Sequence, residues 1–177
     1  MSLRILLGTA AAAACLATAM PGHADATDPE VARLLSAGHS LKSNAVPSGK
    51  SQSYGHAEVL VNASPERVAQ IVTAYGQYKD LVPEKFKTSR VVAKDRTGTD
   101  LYLQIPTKGI LSITLAPTLH FSPPTKPNAT TTVVEGKFVN GSNVKDANVI
   151  FTIRQVAPEV CLLKLDLLLL PTLPDGS

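Results

Sequence analysis

The sequence has little cysteine, and this excludes a fold held together by disulfides. Among its 177 residues only Cys15 and Cys161 are cysteines. Cys15 lies in an N-terminal apolar segment that is expected to be removed, which leaves Cys161 without an internal partner. Because the sequence places no activating group beside Cys161, we expect a buried hydrophobic residue and not a redox group.

The sequence also lacks the motifs of the common enzyme classes. It contains no metal-ligand spacing, no nucleophile elbow, no glycine-rich phosphate loop and no dinucleotide-binding fingerprint. Beyond the N-terminal segment its histidines are His39, His56 and His120, far apart along the chain. His120 or Tyr102 would be a candidate acid or base only if it faced a cavity. We therefore predict no catalytic residue, no metal and no cofactor, and favour a binding protein over an enzyme.

No block of like charges is present, and the formal net charge is only +3. Such a thin positive charge argues against a nucleic-acid partner. One mild cluster of basic residues is present, and apolar residues interrupt it. It either solvates a face or contacts an anionic membrane surface, where each cation contributes about 1 kcal/mol. This basic cluster comprises Lys79, Lys85, Lys87, Arg90, Lys94 and Arg96.

Residues 1–26 have the pattern of a secretory signal peptide. Arg4 supplies a positive charge, residues 5–19 are apolar and rich in alanine, and Ala24-Asp25-Ala26 is typical of a cleavage site. The apolar run is short for a membrane span. We expect an exported protein, periplasmic or secreted and bacterial, that begins at Thr27. The alternative is a lipoprotein starting at Cys15, although Ala12 stands where that signal needs an aliphatic residue.

Residues 27–53 predict an amphipathic helix followed by a linker. Asp28 is typical of a helix N-cap and Pro29 of the first helical position. An apolar stripe then predicts a helix of about 15 residues, within the usual length range. The linker, residues 44–53, is rich in Ser, Gly and Pro. The apolar stripe consists of Val31, Leu34, Leu35, Gly38 and Leu41.

Residues 54–177 form the third segment, which opens with a strand and a capped helix. Residues 56–62 alternate between apolar and polar side chains, the period of a half-buried strand. Ser64 and Pro65 then predict a helix start, and Gly76 predicts its end. One apolar stripe marks the buried side of this helix, and residues 77–83 predict a second short helix. The stripe consists of Val68, Ile71, Val72 and Tyr75.

From Lys85 onward the sequence predicts strands and turns only. Turn residues at 96–98, 140–142 and 157–159 separate apolar runs at regular spacing. The predicted strands are residues 86–95, 99–105, 109–121, 128–139, 145–156 and 160–170.

The first strand, the helix start ASPERV at 63–68 and the turn YGQYKDLVP at 75–83 resemble the START-like superfamily. That superfamily includes polyketide cyclase-like, coenzyme Q-binding and lipid-transfer proteins, and the resemblance covers residues 54–174. It implies an α+β helix-grip fold, in which a curved antiparallel sheet of about seven strands carries two short helices after the first strand. A long C-terminal helix usually follows. Here the proline-containing stretch after Leu170 predicts none, so the domain is expected to be incomplete at its C-terminus.

The resemblance implies that the apolar face of the sheet encloses a hydrophobic ligand. Period-2 alternation places no charged residue on that face, which favours a neutral ligand such as a lipid, isoprenoid or polyketide-like molecule. Polar contacts are expected only at the rim, from Tyr75, Tyr78, Lys79 and residues 107–109. The predicted ligand-binding residues are Tyr78, Leu101, Leu103, Val134, Phe138, Val149, Phe151, Ile153, Leu163 and Leu165.

Three functions are compatible with these patterns. The first is an exported binding or transfer protein, the second a polyketide cyclase-like enzyme, and the third a domain with a closed core that binds a protein partner. An apolar face without its long helix needs a cover. The N-terminal helix, a second copy of the chain or a longer C-terminus would supply one, and we favour the third.

Overall fold

The computed structural model describes residues 27–107 and 113–172. The predicted signal peptide at 1–26, Lys108 and Gly109 of the predicted rim, and the tail at 173–177 lie outside the described residues. So do the first residues of the strand predicted at 109–121.

The described chain is an α+β fold with one antiparallel sheet of nine strands, two more than the resemblance implied. Helix α1 spans Pro29–Ser36, α2 spans Pro65–Val72, a 3-10 turn spans Tyr75–Gln77 and α3 spans Tyr78–Leu81. The strands are β1 Ser40–Ala45, β2 Tyr54–Val61, β3 Thr88–Lys94, β4 Thr99–Pro106, β5 Thr114–Phe121, β6 Thr125–Asn128, β7 Thr131–Ser142, β8 Val144–Ala157 and β9 Val160–Pro171.

The strands follow the order β1-β2-β9-β8-β7-β5-β4-β3, and β6 pairs with β7. The sheet is curved and open, with β1 and β3 at its edges. We call the face that carries Phe151 and Leu165 the inner face, and the face that carries Glu58 and Lys164 the outer face. The main core lies on the inner face, where α2 and the 3-10 turn contribute Val68, Val72 and Tyr75.

Helix α2 begins as the sequence predicts. The Ser64 hydroxyl accepts from the Arg67 N–H at 3.4 Å, and Pro65 occupies the first turn. The predicted end is wrong, because the helix stops at Val72 and Gly76 lies in the 3-10 turn without a positive φ. Cys161 is fully buried, as expected for a small hydrophobic residue.

The N-terminal helix is shorter than predicted. It is capped by Asp28 but ends at Ser36, because Gly38 and His39 take positive φ values of 78° and 73° and reverse the chain. The following residues form β1, which pairs antiparallel with β2. Part of the segment predicted as helix and linker therefore belongs to the sheet.

Helix α1 packs on the outer face and does not cover the inner one. Its Val31 and Leu34 are fully buried, and Arg33 forms an ion pair with Glu58 of β2. Glu30 pairs with Lys164 of β9 and with Arg154 of β8. Although Glu58 lies on the polar side of β2, it is only 5% exposed.

The turn predicted at residues 140–142 is also displaced. Strand β7 continues to Ser142, and the reversal occurs at Asn143, whose φ is 61°. Gly141 pairs with Pro117 of β5, where an added Cβ would lie 2.7 Å from the Ala116 carbonyl oxygen. Gly141 is thus needed for the close approach of β5 and β7 and does not form the turn.

Candidate ligand-binding cavity

The inner face encloses a cavity of about 500 Å³. Strands β4, β5, β8 and β9 form its walls, while α3 and the turn after it form one end. Its volume lies within the range of about 300–1,000 Å³ that is usual for small-molecule sites. The lining residues are mostly aliphatic and aromatic: Lys42, Tyr78, Lys85, Phe86, Leu103, Ile105, Pro117, Leu119, Phe121, Ala147, Asn148, Val149, Phe151, Leu165, Leu167 and Leu169.

Four aromatic rings lie in series at one end of the cavity, and three of them, Phe86, Tyr78 and Phe121, line it. The ring centroids of Phe86 and Tyr78 are 5.9 Å apart, those of Tyr78 and Tyr75 6.2 Å, and those of Tyr75 and Phe121 4.3 Å. The Tyr78 hydroxyl donates to the Val72 carbonyl oxygen, which ties α3 to the end of α2. Burial raises the pKa of Tyr75 to about 12 and that of Tyr78 further, so both phenols stay neutral.

Gly136 of β7 allows the Phe121 ring to approach this strand closely. A Cβ at position 136 would be 2.6 Å from the ring and 2.9 Å from Cγ1 of Val149. Only glycine fits such a close approach, so the position of Phe121 depends on a missing side chain on the neighbouring strand.

Five of the ten predicted ligand-binding residues line the cavity: Tyr78, Leu103, Val149, Phe151 and Leu165. Leu101, Val134 and Ile153 are fully buried in the core on the same face. Phe138 and Leu163 are partly buried against that core without lining the cavity. Period-2 alternation predicts the face of a strand but not the position along it where core gives way to cavity, because both have the same composition.

Sequence reasoning missed two charged residues in the lining, Lys42 and Lys85. Lys42 falls within the predicted N-terminal helix, and only recognition of β1 would have placed it on the sheet. Of the predicted rim residues, Tyr78 lines the cavity, whereas Tyr75 lines a separate, more open groove of about 550 Å³ between the 3-10 turn and the β3–β4 turn. Lys79 lines neither space.

The two candidate acid–base residues lie away from the cavity. The Nδ1 atom of His120 is 2.6 Å from a carboxylate oxygen of Asp100, and its Nε2 atom is 3.2 Å from the Thr97 carbonyl oxygen. The Asp100 contact raises the pKa of His120. Tyr102 accepts from the Gln104 amide and stacks beneath Arg90. Neither His120 nor Tyr102 lines the cavity.

Within 27–107 and 113–172, no group of three or more His, Cys, Asp or Glu side chains is placed to hold a metal ion. In those same ranges no helix is both long and apolar enough to cross a membrane.

Neither a protein-family model nor a curated protein sequence matches this chain. Solved structures do match in fold. A START superfamily protein from Mycobacterium smegmatis aligns with a TM-score of 0.55 and 19% identity, over 78% of this chain and 81% of that one. A STAR-related lipid transfer protein from Xanthomonas axonopodis aligns with a TM-score of 0.59 and 13% identity, over 75% of this chain and 85% of that one. The Zhui aromatase/cyclase from Streptomyces sp. R1128 aligns with a TM-score of 0.53 and 11% identity, over 77% of this chain and 71% of that one. The chain therefore has a START-like helix-grip fold.

Proposed function

We propose that this protein is an exported binding or transfer protein that encloses a hydrophobic molecule in its inner cavity. The observation that carries the proposal is the cavity of about 500 Å³ walled by side chains such as Phe151 and Leu165. Transfer of apolar surface from water into such a site stabilises a complex by about 25 cal/mol per Å². No covalent step or cofactor is needed for this function.

The fold supports the proposal by analogy. Among proteins with this fold, one is named a lipid transfer protein and another an aromatase/cyclase, which supports a hydrophobic ligand in general. A neutral, hydrophobic body is the ligand chemistry that the lining accommodates, because a charge held against Phe151 or Leu169 would be costly.

A cyclase-like enzyme is the weaker alternative. Among the described residues no Asp, Glu or His lines the cavity, and the Tyr78 hydroxyl is already bonded to the Val72 carbonyl oxygen. General acid–base catalysis requires a titratable group within hydrogen-bond reach of the substrate. A closed-core interaction domain is disfavoured by the cavity itself.

Delivery would require contact with a membrane, and the basic cluster is the surface we propose for it. Lys85 belongs to both the cluster and the cavity lining, so the cluster adjoins one end of the site. Anionic lipids attract such residues at about 1 kcal/mol each, an effect that salt screens.

Native purification followed by mass spectrometry of organic extracts tests the function. We expect one class of apolar molecule in near-stoichiometric amount, released by denaturation and absent from a matched extract of a Leu165→Trp variant. A protein that carries no such molecule and fails to bind a neutral apolar fluorophore would overturn the proposal.

A further inference from the structure

Two lysines, Lys42 and Lys85, line an otherwise uncharged cavity, and because both are exposed we define the part of the cavity that they line as its opening. In the part of the chain that the structure describes, no Asp, Glu, His or Arg lines it. The opening therefore carries positive charge only, while the walls carry none.

The two lysines come from distant parts of the fold. Lys42 lies on edge strand β1 and pairs with Ala57, which in turn pairs with Leu165 of β9. Lys42 thus extends the row of the sheet that includes the cavity residue Leu165. Lys85 follows α3, beside Phe86 and near β4, where the Lys87 N–H donates to the Gln104 carbonyl oxygen. The curvature of the sheet brings both lysines to one cavity.

Neither lysine has an ion-pair partner among residues 27–107 and 113–172, in contrast to the cations of the outer face. There Arg33, Lys50, Arg154 and Lys164 each contact a carboxylate. Glu84 precedes Lys85 in the chain but does not line the cavity and forms no ion pair with it. The charges at the opening are therefore available to an anion.

We propose that the cavity binds an anionic amphiphile, with its apolar body against the walls and one anionic head group, a carboxylate or a phosphate, beside Lys42 and Lys85. This inference rests on the proposed function. The head group stays at the opening and remains partly hydrated, so the cost of burying a charge is avoided. The expectation of a neutral ligand then applies only to the enclosed part.

Matched ligands that differ only in the head group test this inference. Palmitate and methyl palmitate form the carboxylate pair, and lysophosphatidylglycerol and lysophosphatidylcholine with the same acyl chain form the phosphate pair. Each displaces the neutral fluorophore N-phenyl-1-naphthylamine from the purified protein at low salt. We expect the anionic member of one pair to bind roughly 5- to 20-fold more tightly, since each exposed charge pair contributes about two- to fivefold. The pair that shows the preference identifies the head group.

Charge-neutral variants assign the effect. Lys42→Gln and Lys85→Gln should each weaken the preferred anion about two- to fivefold without changing its neutral partner, and the double variant should abolish the preference. Lys126→Gln removes one exposed charge from β6, outside this cavity, and should change nothing. Equal affinity for both members of both pairs, or equal loss for acid and ester in the lysine variants, would overturn the anionic inference while leaving hydrophobic binding intact. If no member binds, the proposed function itself fails.

Discussion

The imidazole Nδ1 of His56 lies 2.6 Å from a carboxylate oxygen of Asp166, and its Nε2 lies 3.1 Å from a carboxylate oxygen of Glu58. A neutral imidazole has only one N–H, so it satisfies only one of these acceptors, whereas the protonated ring donates to both. Burial alone would lower the pKa of His56, but the hydrogen bonds to Asp166 and Glu58 outweigh it and raise the pKa above 6.5. The outer face beneath α1 is thus a site where charge and fold stability are linked.

The first prediction is that stability falls as pH rises through the folded pKa of His56. Because that pKa is raised, the favourable contribution is fully present below the unfolded value of about 6.5 and is lost above the folded value. His56→Gln should cost about 1.5–3 kcal/mol at pH 6, the range for hydrogen bonds to charged groups. Urea denaturation at pH 6 and pH 9 should show this cost shrinking at the higher pH.

Two other titratable side chains, His120 and Glu58, also affect how stability depends on pH. The pKa of His120 is also raised, chiefly by its bond to Asp100, so the series is repeated with His120→Gln. The pKa of Glu58 is lowered: burial would raise it, but His56 and Arg33 outweigh burial. The stability that Glu58 contributes is therefore fully present above about pH 4.5, the pKa in the unfolded chain, and is lost as the pH falls through the lowered pKa of the folded state. A cost of His56→Gln that is constant from pH 6 to 9 would contradict the assignment.

The second prediction concerns the cavity. Leu165→Trp adds a bulky ring at a wall residue, so the ring and the bound probe compete for the same space. Because overpacking typically costs about 1–3 kcal/mol, we expect binding of N-phenyl-1-naphthylamine to weaken at least about tenfold. Leu35→Trp is the matched control, since Leu35 is 42% exposed on α1, against the other face. Glu135 and Lys164 also point outward but are poor controls, because both form ion pairs. Unchanged affinity in Leu165→Trp, with an unchanged circular dichroism spectrum, would exclude this cavity as the binding site.

The third prediction tests the close contact between β7 and Phe121. Gly136→Ala places a methyl group 2.6 Å from the Phe121 ring, so the ring must move into the cavity or the strands must separate. We expect a loss of about 1–3 kcal/mol in the free energy of unfolding and weaker probe binding. Phe121→Leu in the same chain should recover part of the loss by making room.

Gly76→Ala is the control for that substitution. Gly76 has no positive φ, and a Cβ there would meet nothing within 4 Å. The free energy of unfolding of the Gly76→Ala variant should change by less than about 0.5 kcal/mol, as is usual for surface substitutions. Equal effects of the two alanine variants would indicate that the Phe121 contact has no special role.

The sequence predicted those parts of the fold that local chemistry determines. Ser64 and Pro65 begin α2, and the alternation of Ala147, Val149 and Ile153 on β8 correctly predicts their burial on one face. It did not predict β1, because the polar run SLKSNA has no strand pattern of its own and is defined by pairing with β2. Lys42 was missed as a cavity residue for the same reason. Likewise, the burial of Glu58 depends on α1 packing over it, a contact between distant segments that no local periodicity contains.

The last prediction concerns export and where the folded domain begins. Asp28 caps α1 by accepting from the Glu30 and Val31 N–H groups, and its other oxygen is 2.5 Å from Arg154 of β8. Cleavage after Ala26 leaves Thr27 at the N-terminus and preserves this cap, whereas a cut two residues later removes it. Loss of an N-cap costs about 0.5–2 kcal/mol, and the ion pair is lost as well. N-terminal sequencing of the exported protein should therefore give Thr27. A lipid-modified Cys15 at the N-terminus would instead establish the lipoprotein alternative, and retention of residues 1–26 in the cytoplasm would contradict export altogether.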